Sequence, residues 1–136
     1  MERPEPKPGA TATVTYEVRE SDLASALTLD PEDRFPRVFA TSRMVSIMEL
    51  AAARVLRPLL GPGELSVGIT IDVTHTAPTP PGGTVRATAT FVAREGKRYV
   101  FELVAEDDGG EIGRGRHQRA IVAAERLEAA AEGRRR

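Results

Sequence analysis

The chain contains no cysteine and no tryptophan, and its four Phe and two Tyr amount to only 4% of its residues. The missing cysteine excludes disulfides, thiolate zinc sites and a cysteine nucleophile, and with only two histidines a dedicated transition-metal site is disfavoured. No long hydrophobic run is present, because Glu49 and Arg54 interrupt the best stretch, so no membrane span is expected. Nor does either sign of charge dominate. With 19 Lys and Arg against 20 Asp and Glu, net charge −1, nothing steers the chain toward nucleic acid or an anionic membrane. Aromatics are too sparse for a base-stacking surface around Arg114–Arg119. Also missing are a glycine-rich phosphate loop, a dinucleotide fingerprint, a His-Glu-x-x-His pair and a G-x-S-x-G elbow. The start, Met1 to Gly9, has charges and prolines but no apolar segment behind them, which does not read as a secretory signal; a cytoplasmic location is the default expectation.

What is present suits one soluble domain: 136 residues, 40% hydrophobic and 29% charged. We expect a disordered leader over residues 1–9, a single domain over 10–127 and a flexible basic tail over 128–136. Ala10 to Val18 alternates as a first strand, and Glu20 to Arg37 reads as a long loop with at most a short helical turn. Met44 to Leu60 is the one substantial helix, capped by Thr41 or Ser42 and stopped by Gly61-Pro62-Gly63. Four strands then follow as a meander: Leu65–Ala77, Thr84–Ala93, one centred on Tyr99–Ala105, and Glu111–Ala124. The short turns between them make the sheet antiparallel, giving an α+β domain with one helix packed on one sheet.

His75 ends the second strand. Strict alternation places it with Val67, Ile69, Ile71 and Val73 on the core side, and Gly68 on the other. A half-buried histidine at a sheet margin is the plain alternative to a catalytic one. Glu49 is the one acid among Val45, Met48, Ala52 and Val55 on the helix. Facing the sheet, it would meet His75 in one apolar setting suited to acid/base work; turned to solvent, it would be an ordinary surface acid. Thr41 before the helix is more often a cap than a reacting group, although a helix N-terminus also offers free N–H groups to an oxyanion. Eight residues of helix separate Thr41 from Glu49, a rise of about 12 Å. One carbonyl cannot touch both on a single straight helix, so either Thr41 folds back or two subunits contribute. Gly68 marks either a close backbone approach or a bulge.

Several of these segments, in this order, resemble one family. Phe35-Pro36-Arg37-Val38-Phe39-Ala40-Thr41, Met44-Val45 with Met48-Glu49, Val73-Thr74-His75-Thr76-Ala77 with Pro80-Pro81-Gly82, Glu111-Ile112-Gly113, and His117 with Arg119-Ala120 are similar to the fluoroacetyl-coenzyme A thioesterases. The likeness runs from about Val14 to Leu127. It implies a hot-dog fold, in which an antiparallel five-stranded sheet wraps one long helix, and a homodimer with sites at the subunit interface. Catalytic Thr41, Glu49 and His75 are implied, with Gly68 near the thioester carbonyl and Arg119 near the acyl pocket. Of the two lid phenylalanines that such an enzyme places before the threonine, Phe35 is kept. Glu32 stands in the other's place, which puts Phe35 and Glu32 at the acyl end of the substrate.

The expected activity is therefore hydrolysis of a small acyl-coenzyme A thioester, fluoroacetyl-CoA-like, with no cofactor and no metal. Two other readings stand beside it. One is a hot-dog dehydratase or hydratase acting on an acyl thioester, and the other is a non-catalytic acyl-thioester binding protein.

Overall fold

A computed structural model describes residues 3–135; Met1 and Glu2 of the expected leader and Arg136 of the expected tail lie outside the described residues. Its elements are β1 (Thr11–Glu17), α1 (Thr41–Leu56), β2 (Glu64–His75), β3 (Thr84–Glu95), β4 (Arg98–Asp107), β5 (Gly110–Ala123) and α2 (Ala124–Glu132). All strands pair antiparallel in one sheet of order β1-β3-β4-β5-β2. The α+β expectation of five antiparallel strands around one long helix therefore holds.

The meander expectation needs correction. Only β3, β4 and β5 follow one another across the sheet, while β2 pairs with β5 at the far edge. Pro78, Pro80 and Pro81 cannot build a tight hairpin ladder, so the chain crosses from β2 to β3 instead. That crossing is fastened by buried Thr79, whose hydroxyl donates to Asp107 Oδ2 at 2.7 Å and whose carbonyl accepts the Phe39 N–H.

Helix α1 begins earlier and ends sooner than the sequence suggests. Ala40 is the N-cap, in extended conformation and without a side-chain cap, so neither Thr41 nor Ser42 caps; Thr41 is the first helical residue. After Leu56 the chain tightens into a single 3-10 turn, Arg57–Leu59, where Pro58 has no N–H to continue the α-helical ladder. Met44, Met48, Ala51, Ala52, Val55 and Leu56 are buried, the i, i+4, i+7 spacing of one helix face. Small Ala51 and Ala52 let the helix sit close on a sheet face built by Val85, Ala87, Ala89, Phe91, Phe101 and Leu103. Each fully buried Met or Phe there contributes about 1.5–3 kcal/mol.

The long loop contains two 3-10 turns, Glu20–Asp22 and Ala24–Ala26, and an isolated bridge joins Leu23 to Phe39. Residues 3–9 of the leader make defined contacts. Arg3 donates to Glu64 and to the Leu59 carbonyl, and the Gly9 N–H donates to the Phe91 carbonyl. In the tail, α2 is helical through Glu132 and exposed.

Candidate active site

The geometry of β2 decides which side chains meet α1. Its ladder with β5 pairs Gly68 with Arg119 and then Thr70 with Gln118, so Ile69 is an extra, unpaired residue. A bulge of this kind reverses the alternation beyond it. Gly68 consequently faces the helix together with Ile71, Val73 and His75, which pair with His117, Gly115 and Gly113. The expected placement of Gly68 on the opposite face from His75 is thereby corrected, as is that of Val67, which pairs with Ala120 on the outer side.

Thr41 and His75 come together. The Thr41 hydroxyl and His75 Nδ1 are 2.8 Å apart at the N-terminal end of α1. The His75 ring is half-buried, and Nε2 is buried without a hydrogen-bond partner among the described residues. Burial lowers the His75 pKa below the ordinary 6.5, while the Ala77 backbone works against the shift. The first backbone bonds of the helix run from the Arg43 and Met44 N–H groups to the Ala40 carbonyl, leaving the Thr41 and Ser42 N–H groups at its open end. A cleft of about 400 Å³ opens beside them, lined by Pro36, Val38, Phe39, Thr41, His75 and Ala77 among others. Phe35 and Glu32 are on the exposed loop and do not line it.

Glu49 belongs to a second group. Its Oε2 accepts from Arg119 Nη1 at 3.0 Å and lies 3.9 Å from His117 Nε2. A β-carbon on Gly68 would run into that oxygen, so the glycine allows the carboxylate to lie against the β2 backbone. Arg119 is itself buried and its fork is well occupied: Nε donates to Ser66 Oγ and Nη2 to the Ser66 carbonyl, both at 3.0 Å. Burial lowers the Arg119 pKa, opposed by the Glu49 charge. Glu49 Oε1 has no hydrogen-bond partner among the described residues, and the side chain is 38% exposed. The acid is thus anchored on one oxygen and open on the other.

The expectation that Glu49 meets His75 is not met within one chain. α1 runs antiparallel to β2, so its start lies at the His75 end and Glu49, two turns on, lies at the Gly68 end. Sequence reasoning also gave no role to Ser66 or His117. His117 could have been found from parity alone, since it shares the inward face of β5 with Arg119. No helix among the described residues is long and apolar enough to cross a membrane.

Comparison with known proteins converges on one group. Over 95 residues the chain is 50% identical to the fluoroacetyl-CoA thioesterase of Streptantibioticus cattleyicolor, a match covering 70% of this chain and 68% of that protein. A crystal structure of the fluoroacetyl-CoA thioesterase FlK superposes with a TM-score of 0.89 at 40% identity, covering 96% of this chain and 98% of the other. A thioesterase superfamily member from Thermus thermophilus superposes with a TM-score of 0.84 at 28% identity, covering 94% and 92%. The family model for the fluoroacetyl-CoA-specific thioesterases, FlK, matches residues 18–125, and the chain belongs to that family.

Proposed function

We propose that the chain is an acyl-coenzyme A thioesterase acting on a small, fluoroacetyl-CoA-like acyl thioester, with Thr41, Glu49 and His75 as its catalytic residues. The observation that carries this reading is the Glu49 carboxylate, held on Oε2 by Arg119 and free on Oε1. Such a group is placed to attack a carbonyl carbon or to take a proton from water.

The separation of Glu49 from Thr41 and His75 is resolved by a homodimer. β2 is an edge strand with its outer hydrogen-bonding groups unpaired, and Leu65, Ile69 and Ile71 on it are exposed. Long apolar edges of this kind pair with another strand. Antiparallel pairing of two β2 edges brings the His75 end of one strand toward the Gly68 end of the partner's, and therefore toward the partner's Glu49. Each dimer then has two sites, with Thr41 and His75 from one subunit and Glu49, Gly68 and Arg119 from the other.

In this arrangement the acyl carbonyl lies at the open end of α1, where the free N–H groups and the Thr41 hydroxyl receive the developing oxyanion. Glu49 adds to the carbonyl carbon or delivers water to it, and the carbon–sulfur bond breaks. His75 takes a proton from the attacking water and passes it to the departing thiolate. The family resemblance assigns Phe35 and Glu32, on the exposed loop outside the cleft of the single chain, to the acyl end of the substrate, and an acid in place of an aromatic side chain makes that loop more polar.

Thiol release from acetyl-, fluoroacetyl-, a longer aliphatic and an aryl-acetyl-CoA, measured with Glu49→Ala and His75→Ala alongside, tests the reading. Release that both substitutions abolish supports it. No release from any thioester by a folded dimer overturns it; hydration of an enoyl thioester or thermal stabilisation without turnover would then identify a hydratase or a binding protein. Labelled oxygen from water appearing in Glu49 after a single turnover marks the carboxylate as nucleophile.

A further inference from the structure

His117 is 1% exposed and packed against Phe101, with ring centroids 6.4 Å apart, yet both of its nitrogens are engaged. Nδ1 is 2.7 Å from the Thr70 carbonyl, which can only accept, so Nδ1 carries the hydrogen. Nε2 is 3.1 Å from Arg119 Nη1, which can only donate, so Nε2 presents its lone pair. The two neighbours together dictate one neutral tautomer. A hydrogen on Nε2 would face the Arg119 N–H and displace the guanidinium from its place.

Thr70 is the first paired residue after the bulge, and Gly68 is the last before it. His117 therefore ties the bulged backbone to the guanidinium. Arg119 Nη1 in turn reaches both His117 Nε2 and Glu49 Oε2. We infer that His117 is a positioning residue for the thioesterase reaction, its Nε2 acceptor aiming Arg119 Nη1 at Glu49 so that the carboxylate is held against Gly68 with Oε1 free. The inference rests on the reading of Glu49 as the reacting carboxylate. Each nitrogen has a partner of the one polarity that fits, and one of those partners is the same Nη1 that holds Glu49.

Two substitutions divide the ring's functions. In His117→Gln the terminal oxygen takes the place of Nε2 and accepts from Arg119, while in His117→Asn the amide takes the place of Nδ1 and donates to Thr70. A positioning role predicts that His117→Asn lowers kcat roughly 10- to 100-fold with KM within about twofold, as expected when a reacting group shifts by a fraction of an ångström. His117→Gln should restore most of kcat. A structural role at the bulge predicts the reverse order, with both activity and urea midpoint following the Thr70 bond and Gln the poorer of the two. ¹⁵N NMR of the unsubstituted protein tests the same point without any variant. Nδ1 protonated and Nε2 bare supports the inference, and Nε2 protonated overturns it. Unchanged kcat in His117→Asn beside an inactive Glu49→Ala also overturns it, while leaving the reading of Glu49 standing.

Discussion

The Glu49 carboxylate lies against the Gly68 backbone so closely that a β-carbon at position 68 would overlap Oε2 and come within 3.2 Å of His117 Cε1. Glycine at this point in β2 is thus a requirement of the helix opposite. Because the main obstacle is the end of a flexible side chain, Gly68→Ala should displace the carboxylate from Arg119 without upsetting the fold. The expected result is a fall in kcat/KM of about 100-fold, equivalent to roughly 2.7 kcal/mol of transition-state stabilisation. The urea midpoint should stay close to that of the parent, and a large drop in it would show that the backbone, and not Glu49, gives way.

Gly115 illustrates the opposite case. A β-carbon there would collide with the Asp72 carbonyl and with the Val73 backbone, neither of which can move without opening the β2–β5 ladder. Gly115→Ala should cost about 1–3 kcal/mol of stability, the range for overpacking a tight interior. It should also loosen β2, the strand that bears both Gly68 and His75. Denaturant unfolding monitored by circular dichroism measures this directly, and an unchanged midpoint would contradict the contact.

Both histidines have pKa values pushed below 6.5 by burial. His75 faces the Thr41 hydroxyl and the Ala77 backbone, and His117 faces Thr70, Arg119 and Glu49. With folded values lower than unfolded ones, the unfolded chain binds more protons in the intervening range, and stability rises with pH there. The stabilising contribution is complete above the unfolded pKa of about 6.5 and is lost as pH falls through the folded values. Unfolding free energies measured between pH 5 and 8 should decline on the acid side, and His117→Gln should flatten part of that slope. A neutral His75 at pH 7 is also the form able to accept a proton, so kcat/KM should fall as pH drops below about 6.5.

Much of the architecture was legible in the residues. Alternation located the faces of β3 and β4, since Val85, Ala87, Ala89 and Phe91 do lie with Phe101, Leu103 and Ala105 on the one buried face of the sheet. The apolar spacing from Met44 onward located the helix and its buried face. Two features misled the reading. Thr41 looks like a cap because threonine caps many helices, but its hydroxyl turns to His75 and Ala40 takes the cap position. The parity of β2 was lost at Ile69, because a bulge adds a residue without changing the local composition that a pattern reading depends on.

The sequence alone determined what depends on neighbours along the chain: five strands, one apolar helix face, the absence of cysteine chemistry, and residue types suited to thioester hydrolysis. Tertiary structure decided what depends on distances between remote segments. It paired β2 with β5, brought Gly68 to the helix side, joined Thr41 to His75, and gave Glu49 to Arg119 and His117 some 70 residues later in the chain. Periodicity carries the facing of a side chain only while the ladder is unbroken. Which partner it finds across the core is set by strand order and by one bulged residue, and neither is written in any local stretch of sequence.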